Sequence, residues 1–387
     1  MFRIAWKMLL GDCGKYAGII TGIALASVIM IQQPGMLLSM LAHTYSFITD
    51  VSLPGIWVMD PQVKHVDDAR NMQDTQLYRV RGVAGVDWAV PLYKGSQKVR
   101  LDTGESVACT LLGLDDATLI GGPAVMVQGR LEDLRRPEAI IVDEAGATGR
   151  LARPPSTPGG RPLPVRVGDI LEINDHRAVV VGIAKATPAF MGHPTIYTTY
   201  NRAKSFALTE RKNLAFVLAQ AKPGEDPALV ARRIEAQTGL LACTASEFKE
   251  KSLSYMIKNT NVLINFGFVV LVGFVIGAAV TGQIFYNFTL DNLRHFGVFK
   301  AMGAGSRMLV LMILLQALSV GLIGFGLGSG LTAAFAAGMK GGNGPSMDLS
   351  WQLLLGSGGA VLLIVLAAAL VSIRKVLRLE PAVVFKG

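Results

Sequence analysis

The chain has 387 residues, of which 51% are hydrophobic and 17% charged, with a net charge of +9, five histidines and three cysteines. The apolar residues are gathered into one run near the N-terminus and three near the C-terminus, with a mostly polar stretch of some 220 residues between them. That layout excludes a wholly soluble chain and predicts four membrane spans with one large domain outside the membrane.

Residues 1–15 are basic, and residues 16–42 form the first apolar run. Arg3 and Lys7 resemble the positive region of a cleavable signal peptide. The apolar stretch, however, is about twice the usual h-region, and no small-x-small cleavage site follows it, so it reads as a span. Residues 43–261 form the outward domain. Strand-like runs cover 55–59, 83–92, 106–114, 139–142 and 170–183, separated by turns rich in Gly, Pro and Asp. Helical spacing of Leu229, Val230 and Ile234 behind Pro227 predicts a helix over 226–237. A second helix over 245–258 leads toward the next span as a stalk. The proline-rich run between Ala152 and Pro164 reads as a solvated loop. Spans follow at 262–287, 308–338 and 351–373, joined by a loop at 288–307 and a short one at 339–350, and a tail closes the chain at 374–387.

Charge sets the predicted orientation, because Lys and Arg accumulate in short cytoplasmic segments. Arg3, Lys7, Lys15, Arg294, Lys300, Arg307, Arg374, Lys375, Arg378 and Lys386 flank the spans on one side, against Asp12, Asp291 and Glu380. Ten basic residues less three acidic ones place +7 of the net +9 there. The large domain balances 26 basic with 24 acidic residues. Both termini and the 288–307 loop are therefore expected in the cytoplasm and the large domain outside. The basic charge follows from topology and does not imply nucleic-acid binding.

Little points to catalysis. A phosphate-binding G-x-x-x-x-G-K-[S/T] loop and a G-x-S-x-G elbow are both missing, and His43, His65, His176, His193 and His295 lack metal-ligand spacing. The acid pairs Asp67–Asp68, Asp115–Asp116 and Asp143–Glu144 read as solvated turn residues before acid/base pairs. Cys13 lies at the reducing cytoplasmic face. A bridge between Cys109 and Cys243 is chemically allowed in the outward domain, but two separate buried thiols is the preferred reading.

The 288–307 loop contains a short amphipathic helix, with Leu293, Phe296 and Lys300 on one side and Gly303 and Gly305 ending it. By spacing alone two readings stand: a rigid element that takes force from a separate ATPase, or a loop helix resting on the membrane surface. Polar residues within the spans, Gln32, Gln33, Asn265, Gln283 and Gln316, are expected to face other helices. They are candidates for a substrate site or a dimer seam, with modest helix–helix hydrogen bonding the plainer reading. Gly324 with Gly328, and Gly326 with Gly330, form small-x-x-x-small pairs suited to close helix packing.

The loop residues Asp291, Leu293, Arg294, Phe296, Gly297, Lys300, Ala301 and Gly303 follow an acid-x-Leu-basic-x-aromatic-Gly-x-x-Lys-Ala-x-Gly pattern. It resembles the signature loop of FtsX/MacB-type ABC transporter permeases and looks closest to the DevC branch, with His295 standing where that family usually has Glu. In the outward domain, Gly129-Arg130, Glu138 to Glu144, Val167-Gly168-Asp169 and Val181-Gly182-Ile183 are similar, in that order, to the MacB-type periplasmic domain.

The resemblance implies an α-helical membrane protein of four transmembrane helices with an α+β, MacB-like periplasmic domain inserted between helices 1 and 2. It also implies that Asp291, Leu293, Arg294, His295, Phe296, Gly297, Lys300, Ala301 and Gly303 couple the chain to a cytoplasmic ABC ATPase. On that reading the chain is a non-catalytic permease subunit of the bacterial inner membrane that binds no cofactor itself, the ATPase using ATP and Mg. It pairs with a second copy and moves its periplasmic domain to expel a lipophilic or amphiphilic substrate, with a membrane fusion protein and a TolC-like channel. The alternatives within the same resemblance are an FtsX-like signal transmitter acting on a cell-wall hydrolase and a LolC/LolE-like lipoprotein-extraction subunit.

Overall fold

The computed structural model describes residues 8, 13–51, 54–101, 103–155, 160, 162–187, 192–207, 214–340, 347 and 349–377. Most of residues 1–15, where the resemblance implies a cytoplasmic interfacial helix, part of the proline-rich loop, over half of the 339–350 loop and most of the tail lie outside those residues. Two compact units divide the chain. One draws on Met1–Ser39, Val262–Lys340 and Ser346–Gly387, and the other is centred on Met40–Asn261.

The first unit is helical. Helix α1 (Cys13–Asp50) runs unbroken through Pro34 and continues past the expected span end near residue 42. The later helices are numbered from α7, α2 to α6 falling in the intervening domain: α7 (Val262–Asp291), α8 (Leu293–Ala301), α9 (Ser306–Lys340) and α10 (Trp351–Leu377). Among the described residues four helices, α1, α7, α9 and α10, are long and apolar enough to cross a membrane. A helix satisfies its own backbone hydrogen bonds, as hydrocarbon requires.

Small residues set how closely these helices meet. A Cβ placed on Gly277 of α7 would lie 2.5 Å from the Ala26 Cβ, and one on Gly273 would lie 2.6 Å from Ile29. On α9, Gly328 faces Ser27 and the Ala24 carbonyl at 2.5 and 2.6 Å, and Gly324 faces Ile23 at 2.7 Å. The Gly324/Gly328 pair therefore packs on α1 as expected. A Cβ on Gly326 or Gly330 would meet nothing within 4 Å, so this second pair does not pack inside the chain. The two pairs are offset by two positions, which turns them to different sides of a 3.6-residue helix.

The second unit holds a mixed sheet with helices. Its elements are β1 (Ile56–Met59), α2 (Thr75–Arg81), β2 (Val86–Arg100), β3 (Ser106–Leu114), β4 (Val125–Gln128), a 3₁₀ turn (Leu131–Arg135), β5 (Ala139–Asp143), α3 (Glu144–Thr148), β6 (Ile170–Ile173), β7 (His176–Lys185), β8 (Thr195–Thr199), α4 (Tyr200–Phe206), β9 (Phe216–Ala221), α5 (Pro227–Thr238), β10 (Leu241–Thr244) and α6 (Ala245–Asn259). The order is β10-β1-β9-β2-β3-β8-β5-β7-β4, and β6 pairs with both β2 and β7. Strands β2, β3, β8, β5, β7 and β6 thus close a ring, in which β3–β8 and β5–β7 are parallel pairs and the others antiparallel.

The expected run 170–183 is two strands. Asn174 and Asp175, at φ +47° and +65°, make the two-residue turn between them, a conformation these residues tolerate. Strands β4, β8, β9 and β10 were not expected. Strands β8 and β9 are buried on both faces or nearly so, which erases the alternation that marks a half-buried strand. Both predicted helices form. Asp226 caps α5 by accepting from the Ala228 N–H with Pro227 in the first turn, and Thr244 and Glu247 make a reciprocal capping box at α6.

Strand β1 shows how the core is arranged. Ile56 and Val58 enter a core with Val230 and Ile234 of α5, while Trp57 and Met59 enter a second one with Phe248 of α6 and Ile48 of α1. Trp57 is fully buried, with ring centroids of Phe47, Phe216 and Phe248 each 5.7 Å away. Where the chain enters this domain along α1 and leaves it along α6, both helices pack on the Trp57 side.

Two of the sequence motifs meet in one place. Gly129, at φ +76°, comes so near β7 that a Cβ there would lie 2.3 Å from the Val181 carbonyl oxygen, and one on Gly182 would lie 2.9 Å from that of Gln128. Asp143 is buried and accepts from the Gly146 and Thr195 N–H groups at 3.1 and 2.8 Å, and burial pushes its carboxyl up to about 6 despite those bonds. Cys109 and Cys243 are free, buried thiols in different cores, on strands separated by β1, β9 and β2. That separation is far beyond disulfide reach. Burial, and then the Asp143 carboxylate, push the Cys109 thiol up to about 12.

Gly277→Leu or Gly328→Leu is expected to lower the melting temperature of the detergent-solubilised protein by several degrees, as an overpacking cost of about 1–3 kcal/mol predicts. Gly326→Leu is expected to leave the melting curve within error of the parent. Alkylation of unreduced protein, read by peptide mass spectrometry, should modify Cys109 and Cys243 only after unfolding; a recovered Cys109–Cys243 peptide pair would contradict the two-thiol arrangement.

Candidate functional site

Helix α7 ends at Asp291, and a single residue, Asn292, separates it from α8. The helical hydrogen-bond pattern nearly bridges the gap: the Asn292 N–H donates to the Phe288 carbonyl, and the Phe296 N–H to that of Asn292. The far end of α8 closes more sharply. Gly303 adopts φ +92°, its N–H donates to the Lys300 carbonyl at 3.1 Å, and the Ala304 N–H reaches back to Phe299 at 2.9 Å. These two reversed bonds around a left-handed residue are a Schellman cap. Gly303, but not Gly305, therefore carries the terminating conformation.

The loop helix is amphipathic, with its two faces clearly divided. Phe296 is 1% exposed and Gly297 buried, and Leu293 and Phe299 pack against the same helical core, which includes Ile19, Phe285, Phe288 and Ile373. Lys300 is half-buried, and its ammonium lies 3.5 Å from the Leu377 carbonyl at the described end of α10. A cation is favourable at the carbonyl end of a helix. The other face presents Arg294, His295, Val298, Ala301 and Met302, all exposed, with Met302 at 77%.

Asp291 pairs with Lys15 near the start of α1. Both side chains are substantially exposed, so the pair positions the α7–α8 junction more than it stabilises it, such pairs contributing about 0.2–1 kcal/mol.

The nine signature positions thus fall into two groups. Leu293, Phe296, Gly297 and Lys300 face the helical core, whereas Asp291, Arg294, His295, Ala301 and Gly303 are exposed. The motif had not marked Val298 and Met302 as surface positions. Their spacing from Arg294 and His295, at i+4 and i+7 or i+8, is the signal that finds them.

The polar span residues do not come together into one site. Gln316 is buried. Gln32 and Gln33 are half-buried, and the Gln32 amide points along its own helix to Met36 Sδ at 4.0 Å. Asn265 and Gln283 are exposed on α7 and meet no other helix of this chain among the described residues, and Gln283 donates to Asn287 on the same helix at 3.4 Å. The reason is the narrow inward stripe of α7, confined to Gly273, Gly277, Thr281, Phe285, Phe288 and Thr289.

Four apolar spans, a mixed α+β domain inserted after the first, and a capped amphipathic helix between the second and third define a membrane permease. Residues 17–237 match the family model of the MacB-like periplasmic core domain, and residues 251–381 match that of the FtsX-like permease C-terminal region. The chain belongs to the FtsX/MacB type of ABC transporter permeases, a membership that implies an ATPase partner.

Among relatives it is similar to the uncharacterized ABC transporter permease Rv0072 of Mycobacterium tuberculosis H37Rv, with 23% identity over 321 residues, 81% of this chain and 79% of that one. It is also similar to the uncharacterized ABC transporter permease Mb2592 of Mycobacterium bovis, with 24% identity over 245 residues, 61% and 64% of the two chains. Among solved structures, the periplasmic region of MacB from Actinobacillus actinomycetemcomitans aligns with a TM-score of 0.38 at 12% identity, covering 55% of this chain and 96% of that one. The extracellular domain of the noncanonic ABC-type transporter YknZ from Gram-positive bacteria aligns with a TM-score of 0.34 at 16% identity, covering 49% and 98%.

Phe296→Asp places a carboxylate in an apolar core and is expected to destabilise the helical unit by several kcal/mol. Met302→Asp lies on the open face and should change stability by less than about 0.5 kcal/mol. Thermal denaturation of both variants in detergent measures the difference, and equal melting temperatures would contradict the division of faces.

Proposed function

We propose that the chain is the permease subunit of an ATP-driven export complex, receiving force from its ATPase on the open face of α8. The observation that carries this reading is the way α8 is held: Phe296 and Gly297 lock one face into the helical core and a Schellman cap ends the helix, leaving Arg294, His295, Val298, Ala301 and Met302 as a rigid polar–apolar surface. A separate protein pushing on such a surface moves the spans rather than deforming a loop.

The excess of basic residues on this side of the spans supports a cytoplasmic α8 and cytoplasmic termini. In this reading the signature residues divide their work: Leu293, Phe296, Gly297 and Lys300 transmit force into the helices, while Arg294, His295 and Ala301 meet the ATPase and Asp291 braces the junction through Lys15. Hydrolysis of ATP with Mg belongs to the ATPase chain, and this chain holds no cofactor.

The stroke passes along α1, a single helix of 38 residues, and along α7 and α6 to the outward domain. Two copies of the chain form the working unit, and the outward-turned Asn265 and Gln283 of α7 are candidates for their seam. A lipophilic or amphiphilic substrate suits a helical unit whose core is mainly apolar, its buried polar groups being Ser and Thr hydroxyls and Gln316 among the described residues. A membrane fusion protein and a TolC-like duct complete a DevC-like assembly in the bacterial inner membrane.

Affinity purification of the tagged chain from native membranes, with mass spectrometry, tests this reading. An ABC ATPase should accompany the wild-type chain and be lost or strongly depleted with Arg294→Glu/Met302→Asp, a variant expected to melt as the parent does. Recovery of a fusion protein supports the exporter, and a cell-wall hydrolase in its place supports a signal transmitter. Undiminished ATPase capture by the double variant would remove α8 as the contact.

A further inference from the structure

A cavity of about 590 Å³ opens in the strand-rich unit, and the permease reading gives it no role. Its polar lining comes from His65, Asp67, Asn71, Tyr93, Lys94, Ser96, Thr110 and His193. The Lys94 side chain is only 8% exposed, and its ammonium donates to Asp67 Oδ1 at 2.6 Å and to the Val66 carbonyl at 2.9 Å. The one carboxylate of the lining is thereby neutralised.

Both imidazoles have Nδ1 engaged. The Asp67 N–H donates to His65 Nδ1 at 3.3 Å, and the Arg150 guanidinium lies 3.4 Å from His193 Nδ1. Nε2 of each ring is the nitrogen those contacts leave for a ligand. The Ser96 and Thr110 hydroxyls, the Asn71 amide and the Lys94 ammonium bring further groups able to donate to the same lining. A group with several anionic oxygens is an acceptor that such donors would match.

The walls are also fastened to the two helices by which the chain enters and leaves the domain. Lys94 lies over the Phe47 ring of α1, 4.5 Å from its centroid, and His65 stacks on Tyr255 of α6 with centroids 5.0 Å apart and planes 20° apart. Lys94 and His65 thus line the cavity and at the same time touch both helical ends.

We propose that this cavity binds a phosphate group, either the headgroup of an anionic amphiphile or free inorganic phosphate, held by Lys94, His65 and His193 and sensed through Phe47 and Tyr255.

Calorimetric titration of the full-length chain in neutral detergent, with inorganic phosphate in one arm and dihexanoyl phosphatidylglycerol in the other, tests the site without the ATPase, so it can fail independently of the export reading. Saturable binding in at least one arm is expected, and the arm that saturates identifies the source. His65→Phe, which keeps a ring against Tyr255, and Lys94→Met, which keeps the apolar stem, should each weaken binding about tenfold or more, the cost of one charge-assisted bond. Because Lys94 also packs against Phe47, His193→Ala at the cavity's other side serves as the variant least tied to folding. Heats that do not saturate in either arm, or affinities unchanged in all three variants with parental melting curves, would overturn the proposal.

Discussion

Helix α1 is approached by two other spans at distances that only small side chains permit. Gly273 and Gly277 of α7 meet it at Ala26 and Ile29, and Gly324 and Gly328 of α9 meet it from Ile20 to Ser27. Between helices in hydrocarbon there is no hydrophobic drive to association, so close van der Waals contact must supply the attraction. Adding a single methyl group at Gly277 or Gly328 would require a backbone to move. The rest of the membrane unit follows from this contact: α10 reaches α7 through Ile364 near Gly277 and α9 through Val365 near Gly321.

The same helix carries that packing to its other end. Beyond residue 40 its side chains belong to the sheet domain, where Ile48 and Val51 join the Trp57 core and Phe47 meets both Trp57 and Lys94. Asp50 at its C-terminus accepts from the Thr187 N–H and hydroxyl. Helix α6 packs into the same core through Phe248. Both helices thus share one close-packed core with strand β1 and its neighbours. The strand ring beside it is closed by β6 between β7 and β2.

Helix α8 solves the opposite problem, being short, near the surface and required to hold its shape. An isolated nine-residue helix is marginal in water. Here Phe296 buried among Phe285, Phe288 and Ile19, the Lys300 contact with the end of α10, and the Gly303 cap together hold it. His295 lies on the exposed face of α8, away from this packing.

Much of the architecture could be read from one sequence because its determinants are local. Span number follows from apolar run length, helix α5 from the spacing of Leu229, Val230 and Ile234 behind Pro227, and the packed side of α8 from that of Leu293, Phe296 and Lys300. Strands β8 and β9 could not be read because burial on both faces removes their period, and the β6–β7 turn was hidden inside a continuous apolar run. The sequence by itself determined the four spans, the inserted domain and the signature loop, each encoded by neighbouring residues. Only the tertiary structure decided which glycines pack, that Asn265 and Gln283 turn outward, that Cys109 and Cys243 sit in separate cores, and that His65, Lys94 and His193 line one cavity. Those facts depend on contacts between residues far apart in the chain, which no local pattern records.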